Sequence, residues 1–251
     1  AVNLLTVATS TVGRPTELRF LVSDQPSGSL VPNYALEINH EKLMHVIGVR
    51  DNLEEFFHIH PAPTTAPGVF AVTHTFTAPG RYKVWSEIKQ GGVDQVFGQT
   101  PFTVAGPGQP ALGIQFDASR AVTVAGYKVA LHLVEPVPAG RAYNFSFNIT
   151  HADDGHPAAL DNYLGVKMHL AVIKDDWTQF IHTHPASPTL SGVQAFRSPS
   201  FQLLPVVFAH GDDEGMPVAP SMMPTGQSVE ALASATTVPV VVNFPAPGRY
   251  R

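Results

Sequence analysis

One pattern of histidines occurs twice in this chain with the same spacing. In the first copy, Met44 and His45 are followed by His58, His60 and Pro61. At an offset of 124 residues, the second copy consists of Met168, His169, His182, His184 and Pro185. Two sets of three histidines at a fixed spacing are hard to obtain by chance. The pattern therefore predicts an internal duplication with one candidate metal site in each copy.

The duplication extends beyond the histidines and is interrupted in its second copy. The sequence Phe-Thr-Ala-Pro-Gly-Arg-Tyr-Lys at 76–83 returns as Phe-Pro-Ala-Pro-Gly-Arg-Tyr-Arg at 244–251, at an offset of 168 residues. The change of offset predicts an insertion of about 44 residues at about 187–237. Since the first copy continues past residue 83, we expect the second copy to lack its last one or two strands. Upstream, the alignment places Leu18, Phe20 and Val22 on Phe145, Phe147 and Ile149.

The composition favours short strands joined by turns. The chain has 23 prolines and 20 glycines, and only 14% of its residues are charged, which is typical of all-β domains. We therefore predict two tandem β-sandwich domains at 1–105 and 111–251, with a linker at 106–110. About seven short strands per domain suit either a cupredoxin-like or an immunoglobulin-like sandwich. The predicted strands are 17–23, 43–49, 56–60, 69–76, 81–89, 95–104, 121–125, 128–134, 143–150, 166–173 and 179–184.

The predicted strand pairs bring the histidines together. If 51–54 forms a four-residue hairpin loop, position 45 faces position 60 and position 47 faces position 58. Opposed residues, and residues two apart on one strand, share a face of the sheet. Three imidazoles on that face can reach one ion at about 2.0–2.1 Å per bond. The same argument applies to His169, His182 and His184 around 175–178. We also expect the strands at 69–76 and 81–89 to pair with each other across the turn at 78–80.

Other side chains are weaker candidates for the same sites. Met44 and Met168 alternate with the adjacent histidines along the strand, so they either face the core or act as axial ligands. Of the histidines without a counterpart in the other copy, His40 is the best candidate because it lies five residues before His45. The insertion resembles either a soft Cu(I)-capturing arm or an ordinary loop. The additional candidate ligands are Met44, Met168, His40, His210, Met216, Met222 and Met223.

The types of ligand restrict the metal. The chain has no cysteine, which excludes disulfides, thiolate zinc sites and a cysteine-ligated blue copper centre. Neutral imidazoles suit copper, zinc or nickel, and copper binds such ligands most strongly among the divalent ions. Nearby methionines favour copper further. The sequence therefore predicts copper, as Cu(II) or Cu(I), with zinc as the alternative.

Charge and hydropathy exclude two other classes of partner. The net charge is −5 and no cluster of lysine and arginine occurs, so a nucleic-acid partner is not expected. No apolar run is long enough to cross a bilayer. The numbering begins at Ala1 without a methionine, as it would in a chain whose signal peptide has been removed.

The motifs carry a resemblance to a known group of proteins. The string His40-Glu-Lys-Leu-Met44-His45, the His58-x-His60-Pro61 end and the Ala-Pro-Gly-Arg-Tyr-Lys strand resemble exported bacterial β-sandwich proteins. Such proteins are often encoded beside copper and heavy-metal resistance genes. The resemblance covers 17–104 and, with interruptions, 143–251. It implies a periplasmic or secreted, cupredoxin-like metal-binding protein and no settled activity.

Three classes of function remain. The first is a copper-binding protein for sequestration, delivery or tolerance, which could work with a copper-handling partner. The second is a copper or zinc enzyme with an open coordination position, which the absence of cysteine and of a His-Cys-His motif disfavours. The third is a tandem adhesion or interaction module in which the histidines are incidental. We favour the first.

Overall fold

A computed structural model describes residues 1–5, 10–108, 113–115, 119–185 and 236–251. These residues form an all-β structure whose helical content is a single 3₁₀ turn, Asn33–Ala35. None of its described helices is long and apolar enough to span a membrane. The predicted insertion lies almost entirely outside the described residues, and so do the candidate ligands His210, Met216, Met222 and Met223.

Sixteen strands are described in chain order. Those before residue 106 are β1 (Val2–Leu4), β2 (Ser10–Thr11), β3 (Pro15–Val22), β4 (Met44–Arg50), β5 (Phe56–Ile59), β6 (Ala62–Pro63), β7 (Val69–Thr75), β8 (Gly80–Gln90), β9 (Val93–Gly98) and β10 (Phe102–Ala105). Those after it are β11 (Ala121–Val124), β12 (Tyr127–His132), β13 (Ala142–His151), β14 (Leu170–Ile173), β15 (Phe180–Thr183) and β16 (Thr236–Asn243).

The first half of the chain contains two sheets that share one core. One sheet has the strand order β1-β3-β7-β6, and the other has the order β2-β10-β8-β4-β5, with β9 also paired to β8. β3 alternates exposed and buried residues, so Leu18, Phe20 and Val22 all enter the core. They pack there with residues such as Val46 and Tyr82 from the other sheet. By contrast, every residue of β4 is buried, so this strand is covered on both faces.

A glycine allows close packing within the hairpin that carries the first histidines. Gly48 on β4 lies opposite Phe57 on β5. A Cβ atom at position 48 would lie 2.1 Å from Cζ of Phe57, which is far inside van der Waals contact. The Phe57 ring therefore occupies the space that any other residue would need at position 48.

The second half repeats pairing found in the first. Its strands form a sheet of order β11-β12-β13-β16 and a two-stranded sheet of β14 and β15. Phe147 on β13 faces Val238 on β16, just as Phe20 on β3 faces Phe70 on β7. The alignment places Phe20 on Phe147, and the offset of 168 residues places Phe70 on Val238. Both sheets of this half contribute to one core of Val172, Ile181, Val240 and Val242.

The predicted pairing of 69–76 with 81–89 is wrong. β7 pairs with β3 and β6, whereas β8 pairs with β4, β9 and β10, in the other sheet. The connection between β7 and β8 crosses from one sheet to the other. It is fixed there by hydrogen bonds from the Tyr82 hydroxyl to the carbonyl of Ala78 at 2.7 Å and from the Thr77 amide to Glu55 at 2.9 Å. Alternation along a strand indicates which face is buried, but not which strand is the neighbour.

Two other strand predictions are corrected in extent. The single strand predicted at 95–104 is two strands, β9 and β10, whose registers on β8 differ by one residue. At the break, the Gln99 side chain bonds to the backbone of Val2 and Leu4, and Pro101 has no amide to donate. The strand predicted at 166–173 begins only at Leu170, because Tyr163 and Val166 form a turn before it.

Candidate metal centre

The hairpins that carry the histidines pair in the predicted register. Ile47 faces His58 on β4 and β5, and Ala171 faces His182 on β14 and β15. In each hairpin this register places the first histidine opposite the last. The connecting loops also match, because Leu53 and Trp177, at equivalent positions, have φ angles of 60° and 62°. The two copies therefore present their histidines from hairpins of the same geometry.

The first triad consists of His45, His58 and His60. Nδ1 of His45 lies 3.0 Å from Nε2 of His58, and the His60 ring centroid is 4.9 Å from that of His45. One ligand nitrogen from each of the three lies within 4.8 Å of the others. Nε2 of His60 is buried and has no hydrogen-bond partner in the described part of the chain. A buried polar atom with no partner is costly, and a metal ion bound to this nitrogen would satisfy it.

The second triad consists of His169, His182 and His184. Nδ1 of His169 lies 3.3 Å from Nε2 of His182 and 3.1 Å from Nε2 of His184. Two nitrogens bound to one tetrahedral ion at about 2.0–2.1 Å lie about 3.3 Å apart. The two distances from His169 therefore suit a shared ion.

A backbone carbonyl orients the first histidine of each triad. Nε2 of His45 donates to the carbonyl oxygen of Asn39 at 2.9 Å, and Nε2 of His169 donates to that of Tyr163 at 3.0 Å. A carbonyl can only accept, so the proton of a neutral ring is on Nε2 and the lone pair of Nδ1 faces the other histidines. Such an outer hydrogen bond is typical of metal-binding imidazoles. Asn39 and Tyr163 are also related by the offset of 124 residues.

The two triads lie against each other in the structure. The His58 ring centroid is 5.4 Å from that of His169 and 5.3 Å from that of His182. Ligand nitrogens of these three residues also lie within 4.8 Å of one another. The sequence predicted one site in each copy but gave no indication that the sites would meet, because a repeat offset does not determine how the two copies pack.

An apolar contact beside the histidines joins the two halves of the chain. Trp85 on β8 stacks on Phe180 on β15, with ring centroids 4.7 Å apart and an interplanar angle of 12°. Val49, Leu53 and Ile173 are buried in the same cluster. Because β4 and β15 carry residues of both the apolar cluster and the triads, this contact lies next to the histidines and packs the two halves together there.

A buried carboxylate that the sequence analysis missed contacts the second triad. Oε2 of Glu87, from β8 in the first half, lies 2.5 Å from Nδ1 of His182. Glu87 is also the β8 partner of His45. An Nδ1–H donated to Glu87 leaves Nε2 of His182 with its lone pair towards the triad. The signal that could have indicated Glu87 is its position as an acidic residue in the apolar stretch Val-Trp-Ser-Glu-Ile at 84–88.

His40 extends the cluster from the first half to the second. Its ring centroid lies 3.9 Å from that of His184, and its ring bonds to the backbone of Leu164. Leu164 is the equivalent position in the second copy, and both residues have positive φ angles, 45° and 49°. At this position the first copy has a histidine, His40, and the second has a leucine.

The two methionines adjacent to the triads pack in apolar surroundings. Met44 is fully buried in the core of the first half, and Met168 packs against Ile149 and Val238 in the second half. Both methionines therefore face apolar clusters, which is the first of the two roles that the sequence allowed.

Burial and neighbouring imidazoles lower the pKa of five of the histidines, His45, His58, His60, His169 and His184. Desolvation, followed by the nearby His182, lowers the pKa of both His58 and His184 to about 2. Desolvation is also the main reason why the pKa of His60 and that of His169 are lowered to about 4. The pKa of His45 is lowered by the same cause. These imidazoles are neutral at pH 7, which is the form that binds a metal.

These shifts predict that the metal-free protein loses stability in acid. In the unfolded chain, histidines have a pKa near 6.5. Between about pH 6.5 and 4 the unfolded chain takes up protons that the folded chain does not, so the free energy of unfolding falls with pH. We expect the urea midpoint of metal-free protein to be constant above about pH 7 and to fall below about 6.5. His60→Gln should make this fall shallower, and an equal fall in that variant would contradict the assignment.

Comparisons with known proteins identify a family but no activity. A family model described as a domain of unknown function (DUF8832) matches residues 1–106 and 122–251. No curated protein matches the chain. Among solved structures, the crystal structure of S. aureus TarS is similar at 7% identity with a TM-score of 0.24. The match covers 75% of this chain and 33% of the TarS chain.

Proposed function

The chain belongs to the DUF8832 family of domains of unknown function, and we propose that it is a copper-binding protein for sequestration, delivery or tolerance. His45, His58 and His60 bind one ion, and His169, His182 and His184 bind another. The observation that carries this proposal is the orientation of the triads. In each, the Nε2–H of the first histidine donates a hydrogen bond to a backbone carbonyl, and Nδ1 faces two further imidazoles.

The choice of copper rests on the chemistry of the donors. The proposed ligands are all neutral imidazoles, and copper binds such sites more tightly than the other divalent first-row ions. Zinc, which also forms three-histidine sites, is the alternative. Copper held in this way would lack an intense blue charge-transfer band, because no thiolate is present.

The architecture that we propose is a tandem duplication of a cupredoxin-like or immunoglobulin-like sandwich. Repeated offsets in the sequence, the matching strand registers of the two halves and the matching loop conformations at Leu53 and Trp177 support it. The proposed periplasmic or secreted location rests on the resemblance to exported metal-resistance proteins alone.

Removing one ligand from each triad tests the proposal. We expect the metal-free chain to bind about two copper ions, as measured by equilibrium dialysis and metal analysis. His60→Ala and His184→Ala should each remove about one ion, because two imidazoles hold the metal poorly. The double variant should bind almost none. Zinc competition in the same assay identifies the preferred metal.

A matched control removes a histidine outside the triads. His132 is exposed at the end of β12, so His132→Ala should leave the stoichiometry unchanged. If the double variant still binds about two ions, the triads are not the sites.

A further inference from the structure

We propose that the two triads form one two-ion centre shared by both halves of the chain. This inference rests on the proposed metal-binding function and goes beyond it. Two independent sites would need no contact between the copies, whereas a shared centre requires that each half contribute to the surroundings of both ions.

The distances between the triads place the two ions close together. Ligand nitrogens of His58, His169 and His182 lie within 4.8 Å of one another. His58 belongs to one triad, and the other two residues belong to the second. With bonds of about 2.0–2.1 Å, ions held by the two triads would be no more than about 9 Å apart. At that distance two Cu(II) ions interact magnetically.

Side chains of the first half extend directly into the second triad. Glu87 holds Nδ1 of His182 at 2.5 Å, and the His40 ring lies against that of His184. The ion bound by the second triad is therefore surrounded by residues from both halves. Neither half alone contains this complete set of groups.

The charge of the cluster also favours cations at this interface. Glu87 and His182 are both buried, and a buried carboxylate requires a compensating positive charge. A metal ion held by the second triad, next to the contact between Glu87 and His182, would supply positive charge there.

Electron paramagnetic resonance of the copper-loaded chain tests the proposal. Protein is titrated with Cu(II), and the frozen spectrum is integrated against the bound copper. With up to one ion per chain, we expect the spectrum of isolated Cu(II). As the second ion binds, dipolar broadening and a half-field transition should appear, or the integrated spin should fall below the copper content.

A variant and its control link the signal to the triads. His184→Ala should retain about one ion and give only the isolated spectrum, whereas His132→Ala should retain the coupled one. Two bound ions with narrow, fully integrating signals would overturn the shared centre and leave the proposed function intact. A single ion per chain that is lost on changing either triad would also overturn it. If no copper binds, both proposals fail.

Discussion

Trp85→Ala is expected to loosen the contact between the two halves of the chain and to lower the free energy of unfolding by about 3–5 kcal/mol. Trp85 is buried and stacks on Phe180 across the contact between the halves. Truncation leaves a cavity beside Val49 and Ile173 and removes the aromatic contact. Urea denaturation followed by circular dichroism measures the loss.

The metal centre gives this variant a second readout. If the Trp85 contact positions the triads, Trp85→Ala should weaken the magnetic coupling between two bound copper ions even where both triads remain intact. Trp85→Phe keeps an aromatic ring against Phe180 and should retain most of the coupling. Tyr34→Ala is the control, because Tyr34 is 87% exposed and its truncation should cost little. A loss below about 1 kcal/mol in Trp85→Ala would show that the stack does not hold the halves together.

The sequence predicted the geometry of each triad because that geometry depends only on residues that are close together in the chain. A loop of four residues and the two-residue period of a strand are sufficient to place position 45 opposite position 60. The all-β class also followed from composition. The core-facing interpretation of Met44 followed from its alternation with His45, and it agrees with the burial of Met44.

The sequence did not predict relations between distant segments. It predicted that β7 pairs with β8, whereas the connection between these strands crosses from one sheet to the other. The residue pattern of a strand does not specify which strand it pairs with. The sequence also missed the meeting of the triads, which involves contacts between distant segments such as the stack of Trp85 on Phe180. Glu87 was missed for the same reason, since His182 is 95 residues away in the chain.

Glu87→Gln is expected to weaken one copper site by about 10–100-fold, the usual effect of losing an outer-shell partner of a metal ligand. The carboxylate of Glu87 accepts from Nδ1 of His182 and so raises the basicity of the nitrogen that faces the triad. An amide of nearly the same shape accepts more weakly and carries no charge. Isothermal titration with copper should show one weakened and one unchanged site.

The stability of the metal-free protein distinguishes a positioning role for Glu87 from a merely structural one. Glutamine removes a buried charge, whose desolvation opposes folding, and it fits the same space. The metal-free variant should therefore be as stable as the parent or more stable, while its copper complex is weaker. Glu17→Gln is the matched control, because Glu17 is 58% exposed and far along the chain from the triads. If Glu87→Gln instead destabilised the metal-free chain and left both copper affinities unchanged, Glu87 would serve the fold and not the metal. An equal or higher stability without metal, combined with a lower copper affinity, is expected only if the Glu87 carboxylate acts on the cation bound beside His182.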